Sequence, residues 1–225
     1  MLNTSDSQSS RKRDNRPPFA AEKPAILLIG PTGSGKTPLG QYIEANGIFN
    51  RRFAHFDFGE LLRQIATGKR DCNLPASDIS RLKAILDSGA LLEADTFYLA
   101  EKIISHFNTT TTADAILLNG LPRHEQQAKD ISPWFSIRMV IRLACDAQTV
   151  FERIESNAGK DRSGRADDGL ALIKQKLIIF NNRTVPLCEW FASKGISVME
   201  IPVDVDTQPD AIVAALETKK SNFTV

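Results

Sequence analysis

The sequence predicts an α/β fold, a doubly wound parallel sheet of five strands with helices on both faces. Five short apolar runs of strand length are spread along the chain. Segments in which apolar residues recur with helical spacing separate these runs. Strands that alternate with helices form a parallel sheet, because each helix returns the chain to the same end of the sheet. The order of the segments therefore predicts the class of fold.

The predicted strands are continuous apolar runs, as expected where helices cover both faces of a parallel sheet. They span residues 25–29, 53–56, 115–118, 137–143 and 197–201. The predicted helices carry apolar residues along one face of a 3.6-residue period. They span residues 36–45, 60–66, 76–87, 94–107, 126–131, 147–155 and 168–192.

Two further segments do not fit this alternation. Residues 1–23 are polar, basic and rich in serine, without an apolar period, which predicts a disordered tail before a domain of residues 24–225. Residues 157–168 combine glycines with alternating charges and precede the longest predicted helix. This composition predicts a mobile flap.

Composition narrows the class of protein. With 225 residues and a formal net charge of +1, the chain can bury a large core but lacks a broad basic face for nucleic acid. No apolar stretch has the length of a membrane span, and the first residues lack the apolar core of a signal peptide. The cysteines and histidines lack metal-binding spacing, and His55 lies within a predicted strand, where a core position is expected. We expect a cytoplasmic protein with reduced thiols that binds neither nucleic acid nor membrane.

A glycine-rich segment follows the first strand and opens the first helix. It matches in full the pattern G-x-x-x-x-G-K-[ST], which binds the phosphates of a nucleoside triphosphate. Glycines permit positive φ angles and close approach of the backbone to phosphate; the lysine reaches the β and γ oxygens, and the hydroxyl can bind Mg²⁺. The pattern predicts a P-loop NTPase-type fold that binds ATP and Mg²⁺. The segment comprises Gly30, Pro31, Thr32, Gly33, Ser34, Gly35, Lys36 and Thr37.

Three other strand ends carry polar or charged residues. Asp57 follows the second strand, and Arg63 lies in the helix after it. Asn119 follows the third strand and begins a segment that ends at Arg123. The flap follows the helix after the fourth strand. Because ligands of such sheets bind at the carboxyl ends of the strands, we expect these residues to surround the phosphate loop.

The chain resembles the adenylate kinases and the wider family of nucleoside monophosphate kinases, in order from about Ala25 to Leu216. The resemblance implies that the chain transfers the γ-phosphoryl group of ATP to a nucleoside monophosphate, as a monomer. It also implies an acceptor-binding helical segment at 58–92 and a short lid at 157–168. Besides the phosphate loop, the segments that carry the likeness are Phe58-Gly-Glu-Leu-Leu-Arg63, Ile85-Leu-Asp-Ser-Gly-Ala-Leu-Leu92, Leu118-Asn-Gly-Leu-Pro-Arg123 with Gln127, Ser163-Gly-Arg-Ala-Asp-Asp168 and Thr184-Val-Pro-Leu187.

The resemblance implies roles for single residues. Arg63 and Arg123 would hold the acceptor phosphate, since a guanidinium binds phosphate through two hydrogen bonds. Arg165 would close over the donor with the lid, and Lys176 would add charge from the next helix. Gln127 would read the edge of adenine, which favours AMP as the acceptor. The remaining residues expected around the acceptor are Asp57, Phe58, Leu92 and Gly120.

The chain departs from the family at four positions. The family has an aspartate in place of Asn119, where the carboxylate helps to hold water around Mg²⁺, and arginines at Lys176 and near Asn157. It has a small hydroxyl residue in place of Phe58. We expect these departures to slow phosphoryl transfer more than they weaken binding. Asn119→Asp and Lys176→Arg should then raise turnover.

Asp57 admits three interpretations. It could restore the negative charge missing at Asn119 and contribute to the metal site, act as a base toward a substrate hydroxyl, or cap the following helix. The second interpretation leads to an alternative function, a small-metabolite kinase. A third function, a nucleotide-binding protein that has lost turnover, is suggested by Asn119, Lys176 and Asn157 together.

Overall fold

The computed structural model describes residues 22–113, 115–161 and 169–219. Its sheet has five strands in the order β2-β3-β1-β4-β5, all parallel. The five predicted strands and the fold class are confirmed. β1 begins at Lys23, so this residue belongs to the sheet and not to the predicted tail, most of which lies outside the described ranges. The strands are β1 Lys23–Ile29, β2 Phe53–Asp57, β3 Ala115–Asn119, β4 Phe135–Ala144 and β5 Ser197–Pro202.

The helices match the predicted segments with three differences. α4 begins at Tyr98 and not at residue 94, because Thr96 closes a turn through its hydrogen bonds with Glu93. α9 has no counterpart in the prediction. The third difference is a π-helix in the long segment near the carboxyl end. The helices are α1 Lys36–Asn46, α2 Phe58–Ala66, α3 Ala76–Ser88, α4 Tyr98–Thr110, α5 Glu125–Ile131, α6 Ala147–Glu155, α7 Leu170–Ile179, α8 Pro186–Ala192 and α9 Pro209–Thr218.

The single helix predicted over 168–192 is wrong in its middle. Residues Phe180–Thr184 form a π-helix between α7 and α8. The N–H of Val185 donates to the carbonyl of Phe180, five residues earlier, at 3.0 Å. The next residue, Pro186, has no N–H and its ring excludes a regular α-helical turn before it. The wider turn accommodates the proline without ending the helical course of the chain.

Two apolar clusters lie on opposite faces of the sheet. Phe56, Leu118 and Val140 belong to the first cluster, together with buried residues of α2, α3, α4, α5 and α8. Leu117 and Ile141, which alternate with these along the strands, belong to the second cluster with residues of α1 and α9. The sheet is therefore covered on both faces, as predicted. No helix in the described parts of the chain is both long and apolar enough to span a membrane.

α1 packs directly against the side chain of His55 on β2 at Gly40. A Cβ atom at Gly40 of α1 would overlap the imidazole ring of His55 on β2. The Nε2 atom of His55 is buried and has no hydrogen-bond partner among the described residues. His55 is therefore a packing residue beneath α1, as its place within a strand predicts.

Candidate active site

The carboxyl ends of β1, β2 and β3 meet at one pocket. The phosphate loop, α2, the segment that follows α3, the loop after β3 and the helices that follow residue 170 all contribute residues to its lining. Of the residues predicted for the site, Pro31 and Ser34 do not line the pocket, and Arg165 lies outside the described residues. The predicted residues that line it are Gly30, Thr32, Gly33, Gly35, Lys36, Thr37, Asp57, Phe58, Arg63, Leu92, Gly120, Arg123, Gln127 and Lys176.

The phosphate loop has the backbone geometry that its glycines predict. Gly33 and Gly35 have positive φ angles of 78° and 92°. Gly30 does not, but a Cβ there would lie 2.5 Å from the Ser34 hydroxyl oxygen, so it permits a close approach of two chain segments. Lys36 opens α1, and its ammonium donates to the carbonyls of Gly30 and Pro31, both at 2.7 Å. The lysine thus lies along the loop that it is expected to complete around phosphate.

Asp57 joins the phosphate loop to the neighbouring strand ends. Its Oδ2 accepts hydrogen bonds from the Thr37 hydroxyl at 2.5 Å and from the Asn119 amide at 2.7 Å. Its Oδ1 accepts from the backbone N–H of Glu60 at 3.0 Å and so caps α2. The sequence left open whether Asp57 is a cap or a site residue. Its two oxygens show that it is a helix cap and also contacts the phosphate loop.

Two guanidinium groups enter the same pocket. The Nε of Arg63 pairs with the carboxylate of Glu60 at 3.0 Å, and its terminal nitrogens make no hydrogen bond to the described residues. Arg123 has no acidic partner in the described part of the chain. Burial lowers the pKa of Arg123 to about 10, which leaves it charged at neutral pH. An unpaired cation in a pocket favours an anionic ligand.

Gln127 is buried, with an exposed fraction of 2%, so it does not lie on the exposed face of its helix. Its side-chain oxygen accepts from the backbone N–H of Arg123 at 2.7 Å, and its side-chain nitrogen donates to the carbonyl of Leu92 at 2.8 Å. One bond needs the oxygen and the other needs the nitrogen, so the orientation of the amide is fixed. One N–H and one lone pair remain for a ligand.

Arg153 lies at the site but was not predicted from the sequence. It is 3% exposed, and its Nε donates to the carbonyl of Gly33 in the phosphate loop at 3.1 Å. One terminal nitrogen donates to the carbonyls of Asp204 and Val205 at 2.6 and 2.7 Å. Arg153 therefore holds the loop after β5 against the phosphate loop. Its position one turn after the buried Val150 on α6 was the available signal, because a charged residue there interrupts an apolar face.

The π-helix reaches the loop after β3. Phe180 and Thr184, at its two ends, line the pocket, and the Thr184 hydroxyl donates to the carbonyl of Arg123 at 3.0 Å. Arg183 pairs at 3.1 Å with Glu93, which directly follows the predicted acceptor segment 58–92. Lys176 lines the pocket from α7. The predicted lid is described only up to residue 161, and the rest of it lies outside the described residues.

The described residues contain no group of three or more His, Cys, Asp or Glu side chains that could hold a metal alone. A magnesium ion in this pocket would therefore be held by the nucleotide phosphates together with oxygen ligands from the chain. Thr37 and Asp57 supply such oxygens beside Lys36. The donor set suits Mg²⁺, and the positive groups suit phosphates.

Comparison with known proteins agrees with this geometry. An adenylate kinase of Synechococcus sp. (strain WH7803) is 28% identical over 201 residues, which cover 87% of this chain and 97% of the relative. An adenylate kinase of Stenotrophomonas maltophilia (strain R551-3) is 29% identical over 178 residues, 76% of this chain and 86% of the relative. The resemblance to adenylate kinases is thereby confirmed. A family model described as AAA domain matches residues 29–174, more than half of the chain, and this protein therefore belongs to that family of P-loop domains.

Proposed function

We propose that this protein is an ATP-dependent nucleoside monophosphate kinase and that AMP is its acceptor. The observation that carries the proposal is the partly buried guanidinium of Arg123, which has no acidic partner among the described residues and lines the same pocket as the phosphate loop. A phosphate loop alone would serve any enzyme that uses ATP. A second cationic site beside it favours an acceptor that itself carries phosphate.

The donor side rests on the phosphate loop. Its backbone amides, the ammonium of Lys36 and the end of α1 would hold the triphosphate of ATP. Mg²⁺ bound with the nucleotide supplies positive charge to the phosphate oxygens. Lys36→Ala should abolish turnover or weaken ATP binding, because the loop amides alone do not neutralise a triphosphate. Normal ATP binding and turnover in that variant would remove the assignment.

The reaction needs positioning and charge more than acid–base chemistry. An oxygen of the acceptor phosphate forms a bond to the γ-phosphorus of ATP, and the bond from that phosphorus to the bridging oxygen breaks. ADP leaves, and the acceptor becomes a nucleoside diphosphate. Arg63 and Arg123 orient the acceptor phosphate, while Lys36 and Lys176 face the charge that shifts during transfer. The resemblance adds Arg165 to this group, although it lies outside the described residues.

The preference for AMP rests on Gln127. Adenine presents an amino donor beside a ring-nitrogen acceptor, and guanine presents a carbonyl acceptor beside an N–H donor. A glutamine that is free to flip can match either pattern. Here the bonds to Arg123 and Leu92 hold the amide in one orientation, so it can match one of the two without rearrangement. The resemblance to adenylate kinases implies that this base is adenine.

Coupled assays with ATP and a panel of acceptors test the proposal. The panel contains AMP, GMP, UMP, CMP and hydroxyl metabolites without phosphate. We expect kcat/KM for AMP to exceed that for the other monophosphates by about tenfold or more. Turnover of a hydroxyl metabolite alone would favour a small-metabolite kinase, and nucleotide binding without turnover of any acceptor would favour a protein that has lost activity.

A pair of arginine variants tests the acceptor site. Arg123→Ala should raise the KM for AMP about 10- to 100-fold, because it removes charged hydrogen bonds to the acceptor. The affinity for ATP should stay within a small factor of the wild type. Arg138→Ala is the matched control, since Arg138 is exposed on β4 and does not line the pocket. Equal losses for ATP and AMP in Arg123→Ala would contradict the assignment.

A further inference from the structure

The carboxylate beside the phosphate loop comes from β2. Asp57 and Asn119 end neighbouring strands and face each other in the sheet register. The resemblance implies an aspartate at position 119, on β3. Here position 119 carries an amide, and the carboxylate that contacts the Thr37 hydroxyl belongs to Asp57, one strand away.

The hydrogen bonds assign different tasks to the two side chains. The Asp57 carboxylate accepts hydrogen bonds and donates none, so the amide nitrogen of Asn119 must face it. The 2.7 Å bond between them therefore uses Asn119 to orient Asp57. An aspartate at position 119 would instead place a second carboxylate against the first, and one of them would have to bind a proton or move away.

We propose that Asp57 is the carboxylate that positions the magnesium ion in this site, and that Asn119 is its orienting partner. The proposal rests on the function proposed above, in which the chain binds a magnesium nucleotide. In P-loop enzymes the loop Ser or Thr and a strand-end Asp hold the ion together. Thr37 and Asp57 form that pair here, with 2.5 Å between the Thr37 hydroxyl and Asp57 Oδ2.

A capping role alone does not account for Asp57. Capping of α2 uses Oδ1, which accepts from the N–H of Glu60. Oδ2 points to the phosphate loop, where Thr37 and Asn119 both donate to it. Asparagine caps helices about as well as aspartate. Asp57→Asn therefore retains the cap and removes the charge, which separates the two roles in one variant.

The contact between Asp57 and Asn119 changes what is expected of an aspartate at position 119. From the sequence alone, Asn119 is expected to slow phosphoryl transfer, and Asn119→Asp is expected to raise turnover. With Asp57 in place, Asn119→Asp alone should weaken metal binding, because the two carboxylates compete for one place. The double variant Asp57→Asn/Asn119→Asp restores a carboxylate and an amide on exchanged strands, and it should recover metal binding.

The test measures binding of Mn²⁺, used as a probe for Mg²⁺, to the complex of the protein with ADP by electron paramagnetic resonance. Asp57→Asn should weaken Mn²⁺ binding about 10- to 100-fold, as is usual for residues that position a metal. Binding of ADP without metal should change little. The double variant should recover most of the loss.

The matched control is Asp146→Asn. Asp146 caps α6 through a 2.7 Å bond from the N–H of Thr149 and does not line the pocket. This control should bind Mn²⁺ as the wild type does. Wild-type Mn²⁺ affinity in Asp57→Asn, or tighter binding in Asn119→Asp alone, would overturn the inference.

A negative result in the Mn²⁺ measurement can be distinguished from failure of the proposed kinase function. The metal measurement uses ADP and needs no acceptor. If no monophosphate is phosphorylated but Asp57→Asn weakens Mn²⁺ binding, the proposed function fails and the role of Asp57 stands. If AMP is phosphorylated and Asp57→Asn binds Mn²⁺ normally, the role of Asp57 fails and the function stands.

Discussion

Gly40 and His55 show how one pair of residues sets the distance between a helix and the sheet. The imidazole of His55 occupies the place where a Cβ at position 40 would lie. Only glycine lets α1 approach β2 this closely. Because α1 begins at the phosphate loop, this contact also fixes the height of the loop above the sheet.

Gly40→Ala should destabilise the protein by about 1–3 kcal/mol or more, because the added methyl group overlaps a ring packed against the sheet. The direction of this change distinguishes packing from helix propensity, because Gly→Ala inside a helix otherwise stabilises by about 0.5–1 kcal/mol. Urea unfolding measures the change. The double variant Gly40→Ala/His55→Ala removes the obstacle and should lose less than the sum of the two single changes. Additive losses would contradict this packing.

His55 also predicts how stability depends on pH. Burial lowers the pKa of His55 below its ordinary value of 6.5, and the nearby Asp57 only partly opposes this. The unfolded chain therefore binds the proton more tightly than the folded chain. The contribution of His55 to the free energy of unfolding should therefore be complete above about pH 7 and be lost as the pH drops through 6.5. In His55→Leu, urea unfolding at pH 8 and pH 5.5 should show a smaller difference than in the wild type; an equal difference would assign the effect to other groups.

Single residues of the site were predictable where they are close in sequence. Lys36 and Thr37 belong to one continuous motif. The bond between Asp57 and Asn119 joins residues 62 positions apart and depends on the register of two strands. The sequence placed both residues at strand ends but did not contain the register of the strands, and so it did not decide which of the two is the better candidate for the metal site.

At the scale of elements, the strands were predictable and the last long helix was not. Strands buried on both faces leave continuous apolar runs, and each run became a strand. The helical period across residues 168–192 continues through the π-helix, because apolar spacing does not distinguish a turn with one extra residue. Pro186 was the sign of an irregular turn. α9 buries only Ile212 and Leu216, which left a weak periodic signal.

The π-helix should affect the affinity of the proposed acceptor site through the hydrogen bond of Thr184. Thr184→Val keeps the shape of the side chain but leaves the carbonyl of Arg123 without this hydrogen bond. We expect the KM for AMP to rise about two- to tenfold while the KM for ATP stays unchanged. Thr184→Ser keeps the hydroxyl and should behave as the wild type does. An equal loss in the serine and valine variants would show that packing, and not the hydrogen bond, is responsible.

At the scale of the whole molecule, the acceptor segment shares its core with the sheet. Phe58, Leu62, Leu82 and Leu92 lie in the same apolar cluster as strand residues such as Phe56 and Leu118. A segment that is packed in this way has no core of its own. We therefore expect the acceptor segment to unfold together with the sheet.

Leu82→Ala tests this expectation. Leu82 on α3 is fully buried, so its truncation should cost about 2–5 kcal/mol. Circular dichroism and the fluorescence of Trp134 and Trp190 should follow one urea transition in the wild type and in the variant. A separate early transition in Leu82→Ala would show that the acceptor segment unfolds on its own.

The two oxygens of Asp57 connect the two substrate sites of the proposed reaction. Oδ2 contacts the phosphate loop, and Oδ1 caps α2, the helix that carries Arg63. A magnesium nucleotide that steadies this carboxylate would also steady the start of α2, and coupling of this kind is reciprocal. The factor by which the nucleotide tightens acceptor binding must then equal the factor by which the acceptor tightens nucleotide binding. Such coupling would protect ATP from hydrolysis by water when the acceptor site is empty, because the site is complete only when both substrates are present.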